Sequence, residues 1–239
     1  MTALTIVAFG IGVRLPLGRP EAPTAPTGRL WRWPRPPRER RRELLWGAVT
    51  FGPGITATSF VLSLDPSVLA GPIGVRDPFL AGLIPCAMFL VATGVQFAVG
   101  GWSIRTQLAV SSLAAIVAML LLGLSVTVAG YWPVFLAAAL LAGTAQGLGQ
   151  LAGLTLIATR IPSERRAESN AALNISGYLP AGALPVATGY LADAVGLAVA
   201  VLAFAAVLAA FAVIALPLVR MSTGRHLGEA EPTTGARVR

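Results

Sequence analysis

Six largely apolar runs, each longer than twenty residues, follow one another from residue 44 onward and constrain the fold more than any other feature of the chain. A helix needs about 20 apolar residues to cross the hydrocarbon core of a bilayer. These runs predict an all-α, polytopic transmembrane bundle with six full spans. The protein is therefore expected to be a multi-pass protein of the cell membrane, surrounded by the lipid bilayer. The runs cover 44–64, 78–100, 104–126, 133–157, 169–192 and 197–219.

Charge is too sparse for a water-soluble domain of this size. Only 12% of the 239 residues are charged and 55% are hydrophobic, whereas soluble domains average about 25% and 45–50%. These values exclude a soluble enzyme. The net charge of +8 does not indicate nucleic-acid binding, because basic clusters in membrane proteins report topology. With one His and one Cys, no zinc site of the usual kind can form, and we predict no cofactor. Cys86 lies in an apolar run and is expected to be a buried packing residue.

Two segments precede the six runs. Within residues 1–13, the apolar stretch Thr2–Val13 would cover about 18 Å as a helix, which is too short for a core of about 30 Å. We interpret it as the inner half of a transmembrane helix whose beginning is missing. Residues 14–43 form a Pro- and Arg-rich loop, residues 44–220 hold the six-helix bundle, and residues 221–239 form a polar tail.

Arginine alternates between the segments that connect the runs. All 18 basic residues are Arg, and successive segments carry 9, 1, 1, 0, 3, 0 and 4 of them. Basic loops are retained on the cytoplasmic side during insertion. The alternation therefore predicts that the 14–43 loop and the C-terminal tail are cytoplasmic.

Polar side chains recur on one face of several runs at spacings of three and four. Two interpretations stay open for each. One is hydrogen bonding between helices, which the small-xxx-small spacing of the pairs Gly143/Gly147 and Gly149/Gly153 favours, and the other is the lining of a polar cavity. Their distribution favours the cavity, because the centres of runs three and six are apolar. Two three-helix units around a shared pathway would produce this distribution. The candidates for a substrate pathway are Gln146, Gln150, Asn174, Tyr178, Thr56 and Ser59.

Ionisable and catalytic groups are absent from the middle of the runs. No Asp, Glu, His or Arg lies near the centre of a complete run, so the sequence predicts no deep proton carrier. Asp65 and Asp77 lie at the ends of runs and are expected to be solvated loop charges. The chain has no G-x-S-x-G, no H-E-x-x-H and no phosphate-binding loop with Lys, so we predict no enzymatic activity.

Three local motifs carry a family resemblance. Residues 189–196 read G-Y-L-A-D-A-V-G and match the G-x-L-A-D-x-x-G pattern that closes the second helix of a three-helix repeat. Residues 161–167 resemble the cytoplasmic turn between the tenth and eleventh helices of that family, and residues 81–85 resemble the beginning of its eighth helix. In this order, the chain resembles the C-terminal half of a major facilitator superfamily transporter from about residue 1 to residue 220.

This resemblance implies one six-helix half of a twelve-helix carrier that moves a small-molecule substrate by alternating access, most commonly as drug efflux. The missing N-terminal half or a second copy would be its partner. The alternative is a non-transporting membrane scaffold or a truncated gene product. The resemblance makes Arg105, Arg165 and Arg166 candidates for gating at the cytoplasmic turns, and Gly189, Asp193 and Gly196 the repeat-end motif.

Overall fold

Six α-helices account for most of the residues that the computed structural model describes, which are 41–127 and 131–221, with side-chain surroundings given within 48–127 and 131–214. A π-helical segment, Leu69–Ile73, extends the first helix. The described residues contain no strand, so the all-α prediction is confirmed for that part of the chain. The helices are α1 (Arg41–Val68), α2 (Pro78–Ala98), α3 (Ile104–Thr127), α4 (Trp132–Arg160), α5 (Ser163–Val195) and α6 (Leu197–Met221).

Four of the described helices are long and apolar enough to cross a membrane: α2, α3, α4 and the 197–214 part of α6. The helices α1 and α5 are 28 and 33 residues long, but their Ser, Thr, Asn, Pro and charged residues lower their hydropathy. The prediction of six full spans is therefore not confirmed for these two helices.

A local capping signal marks the start of α2, whereas α1 and α5 begin earlier than the sequence predicts. Helix α2 begins at Pro78, as predicted, because the Asp77 carboxylate accepts a hydrogen bond from the Phe79 amide at 2.8 Å and Pro suits the first helical position. Helix α5 begins at Ser163, six residues before the predicted 169, so most of the predicted cytoplasmic turn is helical. Helix α1 begins at Arg41, so residues 41–43 are helical and not part of the predicted 14–43 loop. The other predictions for residues 1–40 and 222–239 lie outside the described residues.

Helices α1 and α4 form the centre of the bundle. They pack closely on each other, while α3 packs on α4 and on α6. The helix α2 packs mainly on α4, and α5 packs mainly on α1. The middle helix of each three-helix unit thus lies against the first helix of the other unit, which is the exchange that two structurally related units would produce.

The main apolar core lies near the C-terminal end of α1. There Phe60 of α1 stacks on Phe204 of α6, with ring centroids 4.3 Å apart, and Leu122 and Phe135 are fully buried beside them. Large apolar side chains remain exposed on the outward faces of α2 and α6, where a bilayer would cover them. Cys86 is exposed on α2, contrary to the sequence-based prediction, because α2 has few neighbours besides α4.

Candidate functional site

The crossing of α1 and α4 positions the glutamines of α4. A Cβ on Gly54 of α1 would lie 2.6 Å from the Gln146 backbone nitrogen, and one on Gly149 of α4 would lie 3.1 Å from the Phe51 Cα. Only glycine permits two helix backbones to approach this closely. Gln146 is therefore fixed at the point where the two central helices touch, and Gln150 follows one turn later.

The sequence spacing groups the glycines of α4 with these glutamines on one face. In the structure, however, the glycines meet different neighbours. A Cβ on Gly143 or Gly147 would overlap the backbone carbonyl oxygen of Met88 or Ala92, so both glycines serve the packing of α2 on α4. A Cβ on Gly153 would instead lie 3.0 Å from the Leu173 side chain of α5. The glycines therefore hold α4 against several neighbours, and the identity of those neighbours is set by tertiary packing.

The amide side chains of α4 lack hydrogen-bond partners. Gln146 and Gln150 are half-buried, and neither side chain bonds to another described residue. The Gln146 Oε1 atom is shielded from solvent and still has no partner within the described part of the chain. The described residues therefore offer these amides no interhelical hydrogen bond, which is one of the two functions that the sequence leaves open for them.

Helix α5 contributes amides beside the same crossing. Asn174 follows Leu173, the residue that touches Gly153, and its exposed side chain bonds to no described residue. Asn170 lies one turn earlier, and its Oδ1 atom is buried without a partner in the described residues. Asn170 was not among the sequence candidates, although the spacing of three and four that selects Asn174 also selects it.

Tyr178 lies on α5 one turn beyond Asn174. Its ring meets Phe51 of α1 edge-on at 6.3 Å, while 57% of the residue remains exposed. Phe51 also touches Gly177, because a Cβ there would come within 2.5 Å of the phenyl ring. Packing on Phe51 thus holds the Tyr178 ring against α1, one turn beyond Asn174, and its hydroxyl bonds to no described residue.

The hydroxyl candidates of α1 are engaged in packing. Thr56 is fully buried, and its hydroxyl donates to the Gly52 carbonyl at 2.7 Å within the same helix. Ser59 is half-buried, and its hydroxyl donates to the Ala181 carbonyl of α5 at 2.7 Å. The structure therefore buries Thr56 inside the bundle, away from any exposed surface, and it uses Ser59 to join α1 to α5.

The arginine candidates lie at the opposite end of the bundle from the C-terminus of α1. Arg105, Arg165 and Arg166 are all exposed, and the Arg166 Nε–H donates to the Ile161 carbonyl at 3.0 Å, which closes the α4–α5 turn. Beside them, the Glu164 carboxylate accepts hydrogen bonds from its own backbone N–H and from the Ser163 hydroxyl. These bonds, together with the nearby charge of Arg166, lower the pKa of Glu164.

The repeat-end motif forms the connection between α5 and α6. Gly196 is the single residue between these helices and has φ +89° and ψ 150°, a conformation essentially reserved for glycine. Its amide donates to the Ala192 carbonyl at 2.9 Å, and its own carbonyl accepts from Ala200 at 3.1 Å. Asp193 is exposed and Gly189 is half-buried within α5.

Asp65 contradicts its predicted role as a solvated loop charge. Helix α1 continues past it to Val68, so the residue faces the interior and is 0% exposed. Its two carboxylate oxygens lack any hydrogen-bond partner in the described residues. No residue pattern signals this burial, because the end of an apolar run does not reveal how far its helix extends.

Within the described residues, no three His, Cys, Asp or Glu side chains lie close enough together to hold a metal ion. Comparisons with protein-family models, with curated proteins and with solved structures find no match to this chain.

Proposed function

We propose that this chain forms one wall of a pathway that exports a small molecule across a membrane by alternating access, as one half of a carrier. The observation that carries the proposal is the set of unpartnered amides at Gln146, Gln150 and Asn174, beside the crossing of α1 and α4. Amides facing lipid without partners are costly, whereas water or the polar groups of a substrate in a cavity would satisfy them.

The polarity of α1 and α5 supports the same proposal. These two helices fall short of the hydropathy of the other four, yet α1 lies at the centre of the bundle and α5 packs along it. In the proposed carrier both helices also cross the membrane, which gives six spans. The polar residues of α5 then face the pathway, whereas Thr50, Thr56 and Thr58 of α1 are buried within the bundle. In both cases less helix surface has to be compatible with lipid.

A single bundle supplies a single wall. Asn174 and Tyr178 are exposed, so a second bundle is needed to enclose a substrate between them and the opposite wall. Alternating access consists of the rocking of two such bundles around a site near the middle of the membrane. We propose that the second bundle is an N-terminal half or another copy of this chain.

Water accessibility tests the proposal without knowledge of the substrate. Single cysteines replace Gln150 or Asn174 in a Cys86→Ala background, in the full chain reconstituted in liposomes. A charged, membrane-impermeant methanethiosulfonate should modify both positions rapidly, because a pathway admits water. Matched controls at Leu120 of α3 and Phe211 of α6, which are 63% and 57% exposed on apolar faces, should stay unmodified because lipid covers them.

Equal protection at all four positions would contradict a water-filled pathway. The amides would then face lipid or a tightly packed partner, and the non-transporting scaffold would be the better account. Modification of all four positions would instead indicate a bundle that is not embedded in the membrane.

A further inference from the structure

The most unusual group in the described part of the chain is the carboxyl of Asp65, near the C-terminal end of α1. It is fully buried, and neither of its oxygens has a hydrogen-bond partner among the described residues. Its neighbours one turn away along the chain, Val61, Val68 and Leu69, are themselves buried apolar residues. An isolated carboxylate in such surroundings is far more costly than a carboxylic acid.

No described cation compensates this carboxyl. At the same end of the bundle, the titratable residues outside α1 are Arg76 and Asp77 before α2 and Tyr131 before α4, all exposed. Tyr190 and Asp193, towards the end of α5, are exposed as well. Helix α3 has Arg105 at its other end, and neither the π-helical segment nor residues 197–214 of α6 contain a titratable side chain.

The backbone next to Asp65 is irregular. Pro66 has no N–H, so the usual helical bond to the carbonyl four residues earlier cannot form. The π-helical segment Leu69–Ile73 follows and contains Pro72, and it ends at Gly74 with φ +77°. The Leu69 carbonyl accepts from both Gly74 and Val75. Prolines and π-helical turns are where helices bend, so this end of α1 has the features of a hinge.

We propose that Asp65 is a proton-binding site, neutral while the C-terminal end of α1 packs on α3 and α6, and ionised only when that end moves away and water enters. On opening, the O–H bond breaks, the proton passes to water at that end of the bundle as hydronium, and the carboxylate is left hydrated. Closing reverses each step. Because only the opened form ionises readily, rising pH favours opening and falling pH favours closure.

Infrared spectroscopy of the full chain in bilayers tests the protonation state. At pH 6, the carbonyl stretch of a protonated carboxylic acid should be present and should be lost in Asp65→Asn, whose amide has nearly the size and shape of the acid. The matched control Asp193→Asn, at an exposed carboxylate of α5, should keep the band. A wild-type spectrum identical to that of Asp65→Asn would overturn the proposal.

Thiol accessibility tests the coupling to movement. A cysteine at the buried Val68 is compared with one at the exposed Ser67, both in a Cys86→Ala background. Taking the ratio of their modification rates removes the intrinsic pH dependence of the thiol. This ratio should rise by about tenfold per pH unit over the range in which Asp65 releases its proton, and it should be flat after Asp65→Asn. A flat ratio with Asp65 intact would refute the coupling, even if the asparagine variant failed to fold.

Discussion

Replacing Gly54 by alanine is the sharpest test of the packing that positions Gln146. The methyl group would lie 2.6 Å from the Gln146 nitrogen and 2.8 Å from the Ala145 carbonyl carbon, and both are backbone atoms that cannot rotate away. Ordinary contact begins at 3.4 Å, so α1 and α4 would have to separate by about 0.8 Å, a gap that forfeits a quarter to a half of the dispersion energy at the contact.

The matched control is Gly52→Ala, two residues earlier on the same helix. Its methyl group would meet only the Ser176 carbonyl oxygen, at 3.9 Å, which is ordinary contact. Both substitutions gain the same helix propensity of about 1 kcal/mol, so this gain cancels in the comparison. Overpacking of a close interface costs about 1–3 kcal/mol. We therefore expect the free energy of unfolding of Gly54→Ala to be lower than that of Gly52→Ala by about 1–3 kcal/mol.

Unfolding of the two variants is followed by far-ultraviolet circular dichroism while sodium dodecyl sulfate is titrated into mild-detergent micelles. Size-exclusion chromatography before the titration verifies that each variant starts from the same oligomeric state. If the two free energies agreed within about 0.5 kcal/mol, the usual range for inconsequential substitutions, α1 and α4 would not be in backbone contact at Gly54.

Three further predictions concern other contacts of the bundle and its orientation. Ser111→Ala should lower the free energy of unfolding by about 0.6 kcal/mol, because the Ser111 hydroxyl donates to the Ala145 carbonyl of α4 at 2.7 Å. The Ser112 hydroxyl bonds only within α3, so Ser112→Ala should cost less in the same titration. Gly196→Ala should lower the free energy of unfolding by about 1–3 kcal/mol through backbone strain. Gly189→Ala, whose Cβ would have no atom within 4 Å, should not lower it, and equal stabilities of the two variants would refute the strain. Single cysteines at Ser67 and Thr127, exposed at one end of the bundle, should react with an impermeant thiol reagent from outside the cell, whereas those at Thr24 and Thr233 should be protected; the reverse pattern would invert the proposed topology.

The sequence by itself determined the helical class and most of the helix positions. Apolar runs of sufficient length leave little choice but helices, and local signals such as the Asp77–Pro78 cap and Gly196 fix where helices begin or end. These signals act over a few residues, so they can be read without knowledge of neighbours. The same locality makes the amides of α4 and α5 identifiable, because a spacing of three or four places them on one side of a helix.

Only the tertiary structure decided which helix each face meets. Periodicity groups Gly143 and Gly147 with Gln146, but the two glycines pack on α2, while Gln146 lies at the contact with Gly54 of α1. The sequence pattern predicts a pathway position for Thr56 and a solvated position for Asp65, yet both residues are fully buried. Burial depends on the neighbours that a residue acquires from distant parts of the chain. In a bundle of similar apolar helices, the sites where two helix backbones can approach closely decide which helices pack on each other.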